Sequence, residues 1–170
     1  MFKQIAIAAA LAVVSSSSFA DWDASFYPSN YVGGDAGSTR LKGQSDRHNA
    51  YGLYVGYEFV PNFALEVGAR RLGDFNVCCA RVKIDQAAIS LIGAVPLGNA
   101  FNVFGRIGYN KLKATSTAAN AATESSSSST GSLVGVGMGY TFSPTVWVRA
   151  EIQKPSNEMS NVSIGVSIKY

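Results

Sequence analysis

The sequence predicts an all-β protein, an eight-stranded antiparallel up-and-down transmembrane β-barrel. Three observations lead there. Apolar residues alternate with small or polar ones through eight separate runs, the period of a strand with one apolar face. Each run is about nine to eleven residues long, the length a tilted strand needs to cross a bilayer. Charged residues are only 15% of the chain, against about 25% in an average soluble domain. Yet beyond the first twenty residues no stretch of 18 apolar residues offers a membrane helix.

The opening "MFKQIAIAAALAVVSSSSFA" has an early Lys3, an apolar run from Ile5 to Val14 and small residues leading to Ala20. This is the pattern of a secretory signal peptide, too short and wrongly flanked for a spanning helix. Cleavage after Ala20 is expected, leaving residues 21–170 as one domain. Lys+Arg number 14 against Asp+Glu 11, a balance that gives no reason to expect a nucleic-acid partner.

The strands follow in order. "NYVGGDAGST" sets Tyr31, Gly33, Asp35 and Gly37 against Val32, Gly34 and Ala36. "YGLYVGYEF" sets Leu53, Val55, Tyr57 and Phe59 against Gly52, Tyr54, Gly56 and Glu58, and "VPN" turns the chain. "FALEVGARR" then sets Phe63, Leu65, Val67 and Ala69 against Ala64, Glu66, Gly68 and Arg70. The fourth run, "AAISLIGAV", is the least regular, because Arg81, Lys83 and Asp85 share parity with Ile89 and Leu91. A bulge near Ala87 is expected to reconcile them.

After "PLGNA", the run "FNVFGRIGYNK" sets Val103, Ile107 and Tyr109 against Phe104, Arg106 and Gly108. "SLVGVGMGYTF" is apolar at Val134, Val136, Met138, Tyr140 and Phe142, with glycines between. Beyond "SPT", Val146, Val148, Ala150 and Ile152 oppose Trp147, Arg149, Glu151 and Gln153. The last run, "NVSIGVSIKY", sets Val162, Ile164, Val166, Ile168 and Tyr170 against Ser163, Gly165, Ser167 and Lys169.

The connections alternate. Short ones fall near Pro61, at 97–100 and near Pro144; long or polar ones fall at about 38–49, 72–80, 113–131 and 154–160. All short turns then lie at one end of the barrel and all long loops at the other. The stretch 114–132 is almost wholly Ala, Ser and Thr, and it is expected to be a mobile loop without a core.

The composition of the two faces decides which one meets lipid. The polar face is mostly Gly and Ser, which suits a narrow interior better than a solvated surface. Its charges are balanced: Asp35, Glu58, Glu66 and Glu151 against Arg70, Arg106, Arg149 and Lys169. Such a set can pair internally, whereas a lone buried charge is costly. On the apolar face Tyr57, Phe59, Phe63, Phe101, Tyr140, Phe142 and Tyr170 gather near the short-turn end, as an interfacial girdle does. Tyr51 and Tyr109 are the best candidates for the opposite girdle.

The segments "YVGGDAG", "GYEFVPNFALEVGARRLG", "FGRIGY", "VGVGMGYTFSPTVWVRAEIQ" and "SIGVSIKY" resemble the transmembrane domain of OmpA and the small eight-stranded outer-membrane proteins akin to it. The resemblance implies a cell outer-membrane location and an interior ion-pair network that plugs the barrel. Glu66, Arg106, Arg149 and Glu151 match that family's interior charges, and Asp35 stands where a basic residue is often found. No segment corresponds to the family's peptidoglycan-binding domain, so wall tethering is not carried over. Ser163, Gly165, Ile168 and Tyr170 fit the terminal signal read by the outer-membrane assembly machinery.

The function expected is structural or surface-interactive, in a monomer contacting outer-membrane lipids. A narrow gated pore is the alternative, and a lipid-modifying enzyme a more distant one. The only histidine, His48, lies in "SDRHNAYG" without the His-x-Ser element of a deacylase, so no catalysis, cofactor or metal is expected. "GVGMG" has no helix after it and is a strand face, not a nucleotide loop. Adjacent Cys78 and Cys79 can close only a small strained ring and are expected to be structural or incidental. Around the loop ends basic residues outnumber acidic ones, and Arg81, Lys83, Lys111 and Lys113 are candidate contacts for the phosphates of lipopolysaccharide.

Overall fold

The computed structural model describes residues 28–43, 47–77, 80–118 and 124–170. The leader segment, Cys78, Cys79 and the centre of the Ala/Ser/Thr-rich stretch lie outside them. Eight strands follow one another: β1 (Ser29–Leu41), β2 (Arg47–Val60), β3 (Phe63–Val77), β4 (Ala80–Pro96), β5 (Phe101–Ala118), β6 (Glu124–Ser143), β7 (Val146–Ser156) and β8 (Met159–Lys169). Every neighbouring pair is antiparallel, and β8 returns to pair with β1 from Tyr31↔Lys169 to Leu41↔Met159, closing the sheet. Closure removes every free edge at membrane depth, as an environment without hydrogen-bonding partners requires.

A row of paired residues can be followed round the cylinder. It runs Ser29, Glu58, Ala64, Ile92, Arg106, Gly135, Gln153, Asn161 and back to β1 at Thr39, ten residues further along the strand. That offset tilts the strands and fixes a bore that side chains alone can fill.

The apolar face is outside. Leu53 is 72% exposed and Val136 64%, whereas Glu66 and Glu151 are 2% exposed. At the short-turn end Tyr57, Phe59, Phe101, Tyr140, Phe142 and Tyr170 all project outward, and the Phe101 and Tyr140 rings lie 4.8 Å apart. Tyr51 and Tyr109 project outward on the other side of the apolar band.

Three sequence expectations are corrected. The β4–β5 pairing runs without interruption from Ala80↔Ala118 to Pro96↔Asn102, so β4 has no bulge near Ala87 on that side. The irregularity lies instead on β3, between Arg71 and Gly73, where Gly73 has φ 149°, a conformation that favours glycine. Arg71, Lys83 and Asp85 share the outward face because the strands outrun the apolar band.

From β1 to β6 the strands are also longer than nine to eleven residues, and they run into stretches that the sequence suggests are loop. β4, β5 and β6 have 17, 18 and 20 residues, while β7 and β8 have 11 each. The supposed loop at 113–131 is largely paired, from Lys113↔Ser128 to Thr117↔Glu124. Pairing of β3 with β2 ends at Tyr51↔Arg71, and that of β6 with β7 at Val134↔Lys154. The upper parts of β3–β6 therefore stand as a four-stranded sheet beyond the closed cylinder, and the rim is low on the β7, β8 and β1 side.

Candidate functional site

Two features of this barrel can carry function: its filled lumen and its basic rim. At mid-height four charged side chains from three strands converge, two of them, Arg149 and Glu151, from β7. Arg106 on β5 donates to Glu151 on β7 at 2.6 Å and 3.1 Å, to Glu66 on β3 at 2.7 Å and to the Ser90 hydroxyl at 2.8 Å. Arg149 donates to Glu66 at 2.7 Å and 3.2 Å, and its guanidinium carbon sits 3.6 Å from the centroid of the Tyr54 ring. The Tyr31 hydroxyl donates a further bond to Glu66 at 3.1 Å. Two acids face two bases, so the group is neutral, and each buried charge meets both an opposite charge and hydrogen-bond partners of the right kind, as burial demands.

The other interior charges pair as well. Arg70 donates two bonds to Asp35, two strands away across Gly52. Near the short-turn mouth Lys169 donates to Glu58 at 2.6 Å, bridging β8 and β2 over β1.

Below the quartet, toward the short turns, the lumen is apolar. Tyr31, Tyr54, Ala64, Ile92 and Phe104 form one buried cluster, with Ala94 and Trp147 packed against it. The Tyr31 ring stands edge-on to Trp147 at 4.9 Å and to Tyr54 at 6.3 Å. Tyr54 also shares a 2.6 Å hydrogen bond with Ser167. The alternation alone suggests a small, charged interior and gives this layer no role. The signal was present, because Tyr31, Tyr54, Phe104 and Trp147 all fall on the polar parity.

Toward the long hairpins lies a cavity of about 20 Å³ touching Asp35, Glu66, Arg70, Gln86 and Arg106. It has room for about one water molecule. Gln86 Nε2 and, elsewhere in the barrel, Asn110 Oδ1 are buried without a hydrogen-bond partner among the described residues.

On the rim, Arg71 donates to Asp85 at 2.8 Å across the outward face. Lys83 stands opposite Asp74 and Thr115, and Lys113 opposite Asp85 and Ser128. Lys111 is exposed on the same face. Arg81 occupies the register position between Asn76 and Thr117. Of the terminal residues, Ser163 is buried in the lumen and Gly165 opposes Asp35 and Arg149, while Ile168 and Tyr170 project outward. The Tyr170 amide donates to the Asn30 carbonyl at 3.0 Å, and the Lys169 amide to that of Thr145 at 2.8 Å.

A closed sheet with apolar side chains outside and paired charges inside is a membrane-spanning β-barrel, because its outer surface is matched to lipid and its lumen is not. The chain belongs to the outer membrane protein beta-barrel domain family, which its sequence matches over residues 6–170, and it is accordingly an outer-membrane protein. Among solved structures it is similar to Neisserial surface protein A, with a TM-score of 0.67, 14% identity, and coverage of 84% of this chain and 97% of that one. It is similar to the N-terminal β-barrel domain of Pseudomonas aeruginosa OprF, with a TM-score of 0.62, 15% identity, and 85% and 100% covered. It also resembles Ail of Yersinia pestis, with a TM-score of 0.60, 14% identity, and 84% and 97% covered. At these identities the likeness is one of fold. A search of curated proteins finds no match.

Proposed function

We propose that this protein is a sealed outer-membrane barrel with a structural and surface-interaction role, neither a pore nor an enzyme. One observation carries the reading. The lumen is crossed by the neutral quartet of Glu66, Arg106, Arg149 and Glu151 and, directly beneath it, by the apolar layer around Tyr31, Phe104 and Trp147. An ion meeting the first must displace buried pairs, and one meeting the second must shed its water in an apolar constriction. Two unlike barriers in series favour a plug over a gate.

Planar-bilayer conductance tests this. Wild type and Arg149→Ala are both expected to stay closed, since the apolar layer is intact in each. Channels opened by Arg149→Ala alone would overturn the reading in favour of a gated pore. Adding Trp147→Gly and Phe104→Gly to Arg149→Ala is expected to open it.

The partners we assign are lipids and the assembly machinery. Lys83, Lys111 and Lys113 share the outward face of β4 and β5 just beyond the lipid-facing band, with Arg81 two residues before Lys83 on β4. Phosphates of lipopolysaccharide suit such cations. Replacing all four by glutamine is expected to reduce co-purifying lipopolysaccharide; unchanged recovery refutes the assignment. The protein reaches the membrane after cleavage at Ala20 and acts there as a monomer, its sheet being closed on itself.

A further inference from the structure

The rim is lowest where the β1–β2 and β7–β8 hairpins meet, and a cleft of about 370 Å³ opens between them. Its geometry is fixed by the sheet. Arg40 pairs with Ser160 and Leu41 with Met159 in the closing ladder, and the Lys42 amide donates to the Glu158 carbonyl at 2.7 Å. Met159, only 7% exposed, gives the cleft a firm apolar base.

The walls are basic. Arg40, Lys42 and Lys154 line the cleft against one carboxylate, Glu158, and Arg47 stands opposite Arg40 on β2. Among the described residues, Lys42, Arg47 and Lys154 have no carboxylate within ion-pair distance. Asn157 and Ser160 add a side-chain amide and a hydroxyl. The site thus offers many hydrogen-bond donors and an excess of positive charge, which calls for a ligand rich in anionic oxygen. Its volume falls in the range of small-molecule sites, about 300–1,000 Å³, and exceeds what a single phosphate ion fills.

Its height selects the ligand. Ile152 lies two residues from Lys154, and Val162 two from Ser160; both project outward and are about half exposed, at 52% and 50%. The cleft therefore begins where the lipid-facing surface ends, at the level of the sugar and phosphate headgroups of the outer leaflet. We infer that this cleft is a binding site for a phosphate-bearing saccharide. The inference rests on the outer-membrane reading and is independent of the β4–β5 cations, which lie on the opposite, tall side of the rim.

The test uses the refolded full barrel in an Arg81→Gln, Lys83→Gln, Lys111→Gln, Lys113→Gln background, so that the other patch does not contribute. Calorimetry is run against lipopolysaccharide, enzymatically dephosphorylated lipopolysaccharide and inorganic tripolyphosphate. Lys42→Gln with Lys154→Gln is expected to weaken binding roughly tenfold, in line with exposed ion pairs. Glu158→Gln is expected to tighten it several-fold, and added salt to weaken it. Unboiled electrophoretic mobility confirms that each variant is folded.

Binding of lipopolysaccharide that dephosphorylation abolishes identifies the lipid headgroup as the source and supports the site. Binding of tripolyphosphate without binding of lipopolysaccharide identifies a free polyphosphate ligand and overturns the saccharide assignment. Equal affinity for dephosphorylated lipopolysaccharide, or affinities that none of the three cleft substitutions moves, overturns it without touching the separate assignment to β4 and β5.

Discussion

Glu66→Gln isolates the quartet's contribution to stability. The wild-type carboxylate accepts from Arg106, Arg149 and the Tyr31 hydroxyl, and it is 2% exposed. The amide keeps the volume but not the charge. It leaves two guanidinium groups, each 5% exposed, facing the single carboxylate of Glu151, and it turns one acceptor into a donor aimed at other donors. Breaking a buried pair from one side costs about 3–5 kcal/mol, because the partner remains charged and desolvated. With a urea dependence of about 2 kcal/mol/M, the unfolding midpoint falls by roughly 2 M.

Equilibrium unfolding in lipid vesicles, followed by tryptophan fluorescence and by the mobility of unboiled samples, measures this. Glu66→Gln with Arg149→Gln restores neutrality and is expected to recover much of the loss. A single variant within about 0.5 kcal/mol of wild type, the range of an ordinary surface change, would refute the claim that the quartet is a desolvated, mutually dependent unit.

Other outcomes follow from packing and from the terminus. Gly137→Ala places a new Cβ 2.3 Å from Phe104 Cζ and 2.5 Å from the Ala150 carbonyl oxygen, and overpacking of this kind costs about 1–3 kcal/mol. Gly105→Ala meets nothing within 4 Å and is expected to stay within about 0.5 kcal/mol in the same unfolding assay. Deleting Tyr170 removes an exposed ring and one backbone bond. It is expected to reduce outer-membrane insertion in cells far more than the stability of barrel refolded in detergent; normal insertion refutes the signal role.

Most of the architecture is legible in the sequence because strand parity and lipid-facing polarity reinforce one another. Leu53, Val55 and Tyr57 must face one way if Gly52, Tyr54 and Gly56 face the other. Parity gives a face and not a partner, however. That Asp35 meets Arg70 follows only from the register that lines both up with Gly52. The Ser125–Ser129 run is polar on both faces, so nothing in its own pattern marks it as strand. Its pairing with Leu112, Lys113, Ala114, Thr115 and Ser116 is imposed by the hairpin that begins inside the barrel. The alternation points to Ala87 on β4 and not to β3, because the parity of one strand does not reveal which partner carries the extra residue.

The interior glycines and the interior bulky residues obey one constraint. Rows of paired residues read Tyr31–Gly56–Glu66, Asp35–Gly52–Arg70, Phe104–Gly137–Glu151 and Asn102–Gly139–Arg149. Inside a narrow cylinder neighbouring side chains converge, so a long one fits only where the strand beside it has none. Gly56 shows this most directly, since an added Cβ would lie 2.0 Å from Tyr31 Cζ. Gly56→Ala must therefore move the Tyr31 ring, loosening both its bond to Glu66 and its edge contact with Trp147, for a loss of about 1–3 kcal/mol. If that is the cause, the penalty belongs to the pair. In a Tyr31→Ala background the same glycine substitution is expected to cost less than about 0.5 kcal/mol, and the double-mutant cycle to show coupling well above the additive limit. Additive losses would mean that Gly56 is required for its backbone alone, and that the lumen's glycines do not make room for its bulky side chains.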